Sequence, residues 1–543
     1  MANPLVAALC AGTVLSTVAW GDVNGAAGGA GPAVTNLGLV GVCRIPHDAM
    51  DLHTGGKGEP LESLGGMFSA MALVPGTVRL EGGAIVGELV LLPDRGFADG
   101  IVPYNPRFHT AKFKLLPAHG PSGSRAAAGA APLAQDQLKI ELTRTVLLQR
   151  PDGDDLLKTA AGPQAKWVDF LGADPGTGPF AAEWARGWPQ PVVLPFIDPE
   201  GVVLVADSGK PGTFSSLFIS EEYGPSVYQF SPSGKVTSVL ERPRNALPLD
   251  RDPNPASAGW RPFFGTRSNP EFGRRSNRGM ESLTQLPGGE VLVGMMQSPL
   301  MQDGGEEGSA VYTRIYTWSI KPGSPDFGAL TGEYVTALPV YEIGKKGKKK
   351  SAPCSELLAL SATQLLALER DNLGQGADDE EKPAYKRVNV IDLAGATNLL
   401  GTTWSGSPLE PKGGAEPRKA VGFGTGPLPQ AVTAAASQPA VDLLDEAQLA
   451  KFGLRVMGSG TVDAGALSEK FEGLMLVPAL DTPEPDDAYL FVGSDNDFKT
   501  PKVMMNGTVA GQSRFSIDTL VLVYHVKLSG GAQAAISSPP QMR

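Results

Sequence analysis

The chain has 543 residues, a net charge of -11, 19% charged residues, 68 Gly and 47 Pro. That acidity argues against a general affinity for nucleic acid or an anionic membrane. So much Gly and Pro excludes an architecture of long amphipathic helices, and the length suits several ordinary domains or one large repetitive β domain. Five scattered histidines give no zinc-type cluster, and Cys10, Cys43 and Cys354 show no CxxC spacing. Cys43 and Cys354 are equally compatible with a disulfide and with two buried thiols.

In chain order, residues 1–20 (MANPLVAALCAGTVLSTVAW) carry the apolar centre of a secretory signal without its positive start. They read as a cleaved signal or as a disordered beginning. A Gly/Ala-rich linker follows, so the expected division is 1–35 signal and linker, 36–530 folded domain, 531–543 disordered tail. No other run is long and apolar enough to span a bilayer. Strands are expected at 36–46, 61–76, 84–96, 108–117 and 137–149, with an Ala/Gly/Ser surface insertion at 119–135. Further strands are expected after DPEG (198–201) and as a pair around Glu221–Pro225. Others are expected at 279–298, 311–320, 355–370, 385–393, 469–498 and 519–528. Residues 323–330, 343–352 and 401–440 read as loops, the last of them mobile. DEAQLAKFGLRV (445–456) reads as one short helix, and GKKGKKK (344–350) as a solvated loop.

One unit recurs: a Glu before an apolar strand, a Gly/Pro/Asp turn, then a strand ending in polar residues. It occurs at Glu200, Glu281, Glu356 and Glu472. Many short strands in such units predict an all-β, β-propeller-like fold with long loop insertions. In a propeller, equivalent strand ends converge on the axis, so these four carboxylates are expected as a ring. Carboxylates crowded together need a compensating cation. Calcium suits an all-oxygen donor set, and zinc does not. Asp495, Asn496 and Asp497 close the last unit and join Glu472 as expected metal ligands. Each Glu alone also reads as a turn cap or an inter-blade ion pair.

A second group, Arg95, Arg107, Arg278, Arg370 and Lys470, stands at strand ends beside carboxylates. With a calcium ion these cations suit a phosphate monoester; as a structural alternative they form inter-blade salt bridges. There is no GxSxG elbow, P-loop, HExxH or EF-hand loop.

The ordered set LGGMFSAMA (64–72), PDRG (93–96), DPEG (198–201), SEEYGPSVYQFSPSG (220–234), RGMESLTQLPGG (278–289), LLALER (365–370), EKFEGL (469–474) and GSDNDF (493–498) resembles the phytase-like family, described as esterase-like activity of phytase. The Glu-Gly pair of that pattern is kept at Glu200-Gly201 and Glu472-Gly473 but is Glu281-Ser282 and Glu356-Leu357 at the other two units. The resemblance implies a propeller-like, secreted protein that hydrolyses phosphate esters or esters.

The first expectation is therefore a secreted, monomeric, calcium-assisted hydrolase of small phosphate monoesters, with no nucleic-acid partner. Glu200, Glu281, Glu472, Asp495 and Asp497 would hold the metal or orient water, and Arg95, Arg278, Arg370 and Lys470 would neutralise the phosphate. The rivals are a non-catalytic, calcium-stabilised propeller that binds protein or glycan, and a carboxylic ester or lactone hydrolase.

Overall fold

The computed structural model describes residues 32–529 and 532, apart from 55–57, 98–101, 103, 120–130, 152–166, 170–195, 252–259, 263–267, 305–309, 345–346, 378–381, 409–421, 425, 458–462 and 464. The expected signal, nearly all of the linker and tail, and the centres of the 119–135 and 401–440 insertions lie outside the described residues.

Five antiparallel sheets make the five blades of a β-propeller. From the axis outward, blade I is Ala70–Leu73, Ala84–Leu92, Arg107–Leu115 and Leu138–Leu147. Blade II is Pro199–Ala206, Phe214–Glu221, Ser226–Phe230 and Val236–Val239. Blade III is Met280–Gln285, Val291–Met296, Tyr312–Ser319 and Leu330–Ala337. Blade IV is Cys354–Ala359, Gln364–Arg370, Lys386–Asp392 and Ala436–Asp442. Blade V is Lys470–Pro478, Asp487–Asp495 and Thr519–Leu528, with Val34–Ile45 as its outer strand. The first strand of the chain thus lies antiparallel to the last, Val34 opposite Leu528 and Ile45 opposite Thr519.

The inner and second strands are near-continuous apolar runs because side chains alternate between the two faces of a blade, and both faces are covered. Val202 and Leu204 pack with Phe108 and Val146 of blade I, while Val203 and Val205 pack with Leu283 and Trp318 of blade III. The same division recurs between III and IV, IV and V, and V and I, so five inter-blade cores close the ring. The third strands are covered less evenly. In Arg107–Leu115, Phe113 and Leu115 face inward while Lys112 and Lys114 are exposed, which is the expected alternation. Blades approach closely at Gly201, where a Cβ would lie 2.5 Å from the Leu283 nitrogen of blade III.

Several expectations change. Cys43 lies in the core between blades V and I and Cys354 in the core between III and IV, so they are two free buried thiols. Burial pushes the Cys43 thiol up to about 12 and raises Cys354 strongly as well. Part of the basic run is not a loop: Lys348–Ser351 pairs with Val340–Ile343 in a small hairpin, where Lys349 stands opposite Glu342 and Lys350 opposite Tyr341, cross-strand pairs that suit an exposed ribbon. Residues 436–440, expected within a mobile loop, belong to the outer strand of blade IV. The expected helix is there in shortened form: Glu446–Leu449, then a 3-10 turn Ala450–Phe452. Asp445 caps it, accepting hydrogen bonds from the Ala447 and Gln448 nitrogens at 2.9 and 3.2 Å.

Candidate functional site

All five inner strands enter the axis from one end, and all five second strands finish there. Residues just before an inner strand and just after a second strand therefore meet, whatever their separation in sequence. At this end four inner strands bulge, between Pro199 and Val202, Met280 and Ser282, Cys354 and Glu356, and Phe471 and Gly473. A bulge leaves a residue out of the ladder and re-aims its side chain. The residues at the bulges are Glu200, Glu281, Ser355 and Glu472, and Ser69 stands in the matching place before the inner strand of blade I. Two residues further along each strand, Met71, Val202, Leu283, Leu357 and Leu474 form an apolar tier. After two more, Leu73, Leu204, Gln285, Ala359 and Leu476 line the rest of an axial cavity of about 330 Å³.

This pattern corrects the expected ring. Glu356 lies one residue past the ring position, which Ser355 takes. The Glu356 carboxyl turns between blades and accepts hydrogen bonds from the Leu283 and Leu357 nitrogens at 3.2 and 2.9 Å. Glu200, Glu281 and Glu472 do converge: each of the latter two raises the proton affinity of Glu200, and both raise that of Glu356 too, so Glu356 borders the ring from its place between the blades.

Around this ring stand residues from the starts of inner strands (Asp198, Arg278, Lys470) and from the ends of second strands (Arg95, Gln297, Arg370, Asp497). Arg95 donates to Asp198 from its backbone nitrogen (2.9 Å) and from Nη1 (2.7 Å), and also reaches Asn277 and Glu222. Arg278 Nη1 donates to Gln297 Oε1 at 2.8 Å, and Gln297 Nε2 donates in turn to Glu281 Oε1. Arg370 pairs with Glu472. Lys470 Nζ donates to Asp497 Oδ1 at 2.5 Å, and Lys499 holds the other Asp497 oxygen at 3.1 Å. Arg107 is not here; it is buried on blade I between Asp51 (2.8 Å) and Glu62 (2.7 Å).

Two carboxylate triads result. In each, one oxygen per residue lies within 4.8 Å of the others: Asp94, Asp495 and Asp497, and Asp198, Glu200 and Glu222. Asp94, Asp198 and Glu222 were not singled out from the sequence as ligands, although PDRG and DPEG had already marked the first two as strand-end motifs. In the second triad Arg95 already neutralises Asp198 and lies 3.6 Å from Glu222. In the first triad Lys470 and Lys499 reach only Asp497 among the three. Asp495 Oδ1 accepts from the Asp497 nitrogen at 2.7 Å, and Asp94 Oδ1 accepts from the Gly96 nitrogen at 2.9 Å. Both keep lone pairs for a cation. Asn496, an expected ligand, is used by the backbone: its Oδ1 accepts from Gly66 and Phe498, and its Nδ2 donates to the Ile517 carbonyl. These bonds hold Asp497 and Phe498 in successive left-handed conformations, φ 49° and 52°, a strained turn of the kind found at functional sites.

Burial governs the electrostatics. It pushes Asp94 up to about 8 against the opposing Lys470 ammonium, and Asp198 up to about 8 against Arg95. Burial, then the Asp94 and Asp497 carboxylates, raises Asp495 well above its usual range. Glu200 and Glu281 are raised strongly by burial and by neighbouring carboxylates, Glu281 chief among them for Glu200. For Asp497 burial acts upward too, but Lys470 and Lys499 outweigh it and hold the group well below the usual carboxylate range. The carboxylates outnumber the cations named here, so the ring favours added positive charge.

A family model described as phytase-like, esterase-like activity of phytase, matches residues 64–498. An uncharacterized secreted protein of Arthroderma benhamiae is 27% identical over 486 residues, covering 85% of this chain and 87% of that protein. Among solved structures, the RRP9 WD40 repeats are 9% identical over 85% of this chain and 99% of theirs, with a TM-score of 0.25. Saccharomyces cerevisiae Sqt1 is 8% identical over 83% of each chain, also with a TM-score of 0.25. At these scores the five sheets themselves define the architecture.

Proposed function

We propose, since the chain belongs to the phytase-like family (esterase-like activity of phytase), that it hydrolyses small phosphate monoesters with the help of a divalent cation at the axial end of its propeller. One observation carries this reading: Asp94, Asp495 and Asp497 bring three oxygens within 4.8 Å of one another beside Lys470. That donor set contains no His or Cys, and a spacing of this size is what oxygens sharing one calcium ion require. Asp94, Asp495 and Asp497 would hold the ion. When bound, it would lower the pKa of a water nucleophile and neutralise phosphoryl charge.

The chain's own residues supply the rest. Lys470 and Arg278 are the half-buried cations of the ring, and among the described residues the hydrogen bonds of Arg278 run through Nη1 alone. Its other amino group is available to a phosphoryl oxygen, where it stabilises charge that grows in the transition state. Arg95 and Arg370 stand deeper and orient Asp198 and Glu472. Glu200 accepts no hydrogen bond from a described residue, and burial with its carboxylate neighbours raises its proton affinity. It is placed to protonate the leaving alkoxide.

The deciding measurement is turnover of phytate, p-nitrophenyl phosphate and p-nitrophenyl acetate, each with calcium and with EDTA. Calcium-dependent phosphate release is expected. Undiminished activity in excess EDTA removes the metal from the reading. Turnover of the acetate alone would indicate an ester hydrolase. No turnover, with calcium still raising the melting temperature, would indicate a binding protein. Export is part of the same proposal, on the apolar start of the chain and the secreted relative. It predicts recovery of the chain from culture medium without its first residues, and an intact N-terminus there would contradict it.

A further inference from the structure

Buried polar atoms are almost always paired, so unpaired ones ask for a ligand. Three occur together around the inner strand of blade IV: Glu281 Oε2, Ser355 Oγ and Arg370 Nε. Glu281, Ser355 and Arg370 are each at most 3% exposed. Their placement follows from bonds to their neighbours. The Cys354 nitrogen donates to the Gln297 carbonyl at 3.1 Å, and Gln297 Nε2 holds Glu281 Oε1. On the other side the Arg370 nitrogen donates to the Pro353 carbonyl at 3.1 Å, and Arg370 reaches across to Glu472. Ser355 is the extra residue of the bulge between them, at the position that carries Glu281 and Glu472 in blades III and V. Arg370 and Glu281 also sense each other's charge.

We propose that Ser355, Glu281 and Arg370 form a subsite for a tetrahedral oxyanion, the phosphoryl group of the substrate or the phosphate product. This deepens the phosphate-monoester reading and rests on it for the substrate class. The Ser355 hydroxyl and Arg370 Nε are donors. Glu281 offers a third polar atom: Oε1 is occupied as an acceptor from Gln297, Oε2 is buried without a partner, and burial with neighbouring carboxylates raises the proton affinity of the group, so its proton, when bound, sits on Oε2 facing the anion. A serine rather than a third glutamate at this ring position makes room for the anion and removes a repelling charge.

The test uses the full chain in EDTA, so that anion binding does not run through a bound cation. Its probe is inorganic phosphate and its readouts are calorimetric affinity and melting temperature. Phosphate should raise the melting temperature of the parent protein. Ser355→Ala should weaken phosphate about tenfold, the loss of one hydrogen bond to a charged group. It should leave the melting temperature in phosphate-free buffer unchanged, since the hydroxyl has no partner to lose. Glu281→Gln should keep phosphate affinity, because an amide also accepts from Gln297 and donates from its other atom. Unaltered phosphate binding by Ser355→Ala, a lowered phosphate-free melting temperature, or loss of binding in Glu281→Gln would each overturn the subsite. Phosphate binding that depends on Ser355, found without turnover of any ester, would sink the hydrolase reading and leave the subsite standing.

Discussion

Asp495→Asn is expected to lower calcium-dependent phosphate release by about a hundred- to a thousandfold, the range for removing one preorganised charge from a dry site. Asp495 is 1% exposed and joins Asp94 and Asp497 in the triad that Lys470 neutralises only in part. The amide has the same shape, and its oxygen can still accept from the Asp497 nitrogen, so the turn at φ 49° and 52° should survive. Turnover should fall while the circular dichroism spectrum and the melting temperature in EDTA stay near those of the parent. Glu356→Gln is the matched control. It removes a carboxyl that the sequence alone would have put in the same ring. In the folded chain that carboxyl serves the Leu283 and Leu357 nitrogens, and burial raises it well above the ordinary range of a glutamate.

The control also carries a pH signature. A carboxyl whose folded pKa is raised binds more protons in the folded than in the unfolded chain from its unfolded pKa upward. Its contribution is whole at low pH and is lost as pH rises toward the folded pKa. Glu356→Gln lacks that loss, so its stability relative to the parent should improve as pH rises above about 4.5. Activity should stay near the parental value. A collapse of turnover in Glu356→Gln, or unchanged turnover in Asp495→Asn, would put the catalytic centre somewhere other than the triad.

Removing the outer strand of blade V should cost the whole fold. A chain beginning at residue 47 lacks Val34–Ile45, which pairs along its length with Thr519–Leu528. Val34, Leu39 and Val42 sit in the core between blades IV and V, and Val40 and Cys43 in the core between V and I. Burial of each of the larger side chains is worth about 1.5–3 kcal/mol. Together they approach the ~5–15 kcal/mol that keeps an ordinary domain folded. The loss also leaves a long hydrophobic edge open for pairing with other chains. Compared with a chain beginning at residue 32, the shortened one should aggregate or elute as a larger species, without a cooperative melt. A soluble monomer with an unchanged melting temperature would show that the ring does not depend on this closure.

Much of this was legible in the sequence, for physical reasons. Inner and second strands are covered on both faces and so appear as apolar runs such as VVLVA (202–206) and LLAL (365–368), bounded by turns. That period, repeated with a Glu near the entrance of four of the five inner strands, is enough for a propeller. The strand-end positions of Arg95, Arg278, Arg370, Lys470 and Asp495 follow from the same pattern. The resemblance of the ordered motifs to the phytase-like family is likewise borne out by the match over residues 64–498.

Tertiary structure decided the rest. Asp94 and Asp495 lie some four hundred residues apart, and only closure of the ring through the first and last strands makes them neighbours. The choice between Ser355 and Glu356 turned on a single bulge, a backbone feature of one residue that composition and period do not encode. Asn496, ligand-like in sequence, is consumed by the turn that shapes its neighbours. Cys43 and Cys354 are kept apart by the alternation that sends them into different inter-blade cores. Periodicity, a local property, determined the elements and the end of each strand that carries charge. Which of those charges meet, and which are neutralised before a ligand arrives, depends on contacts between blades, where burial multiplies the effect of every ångström.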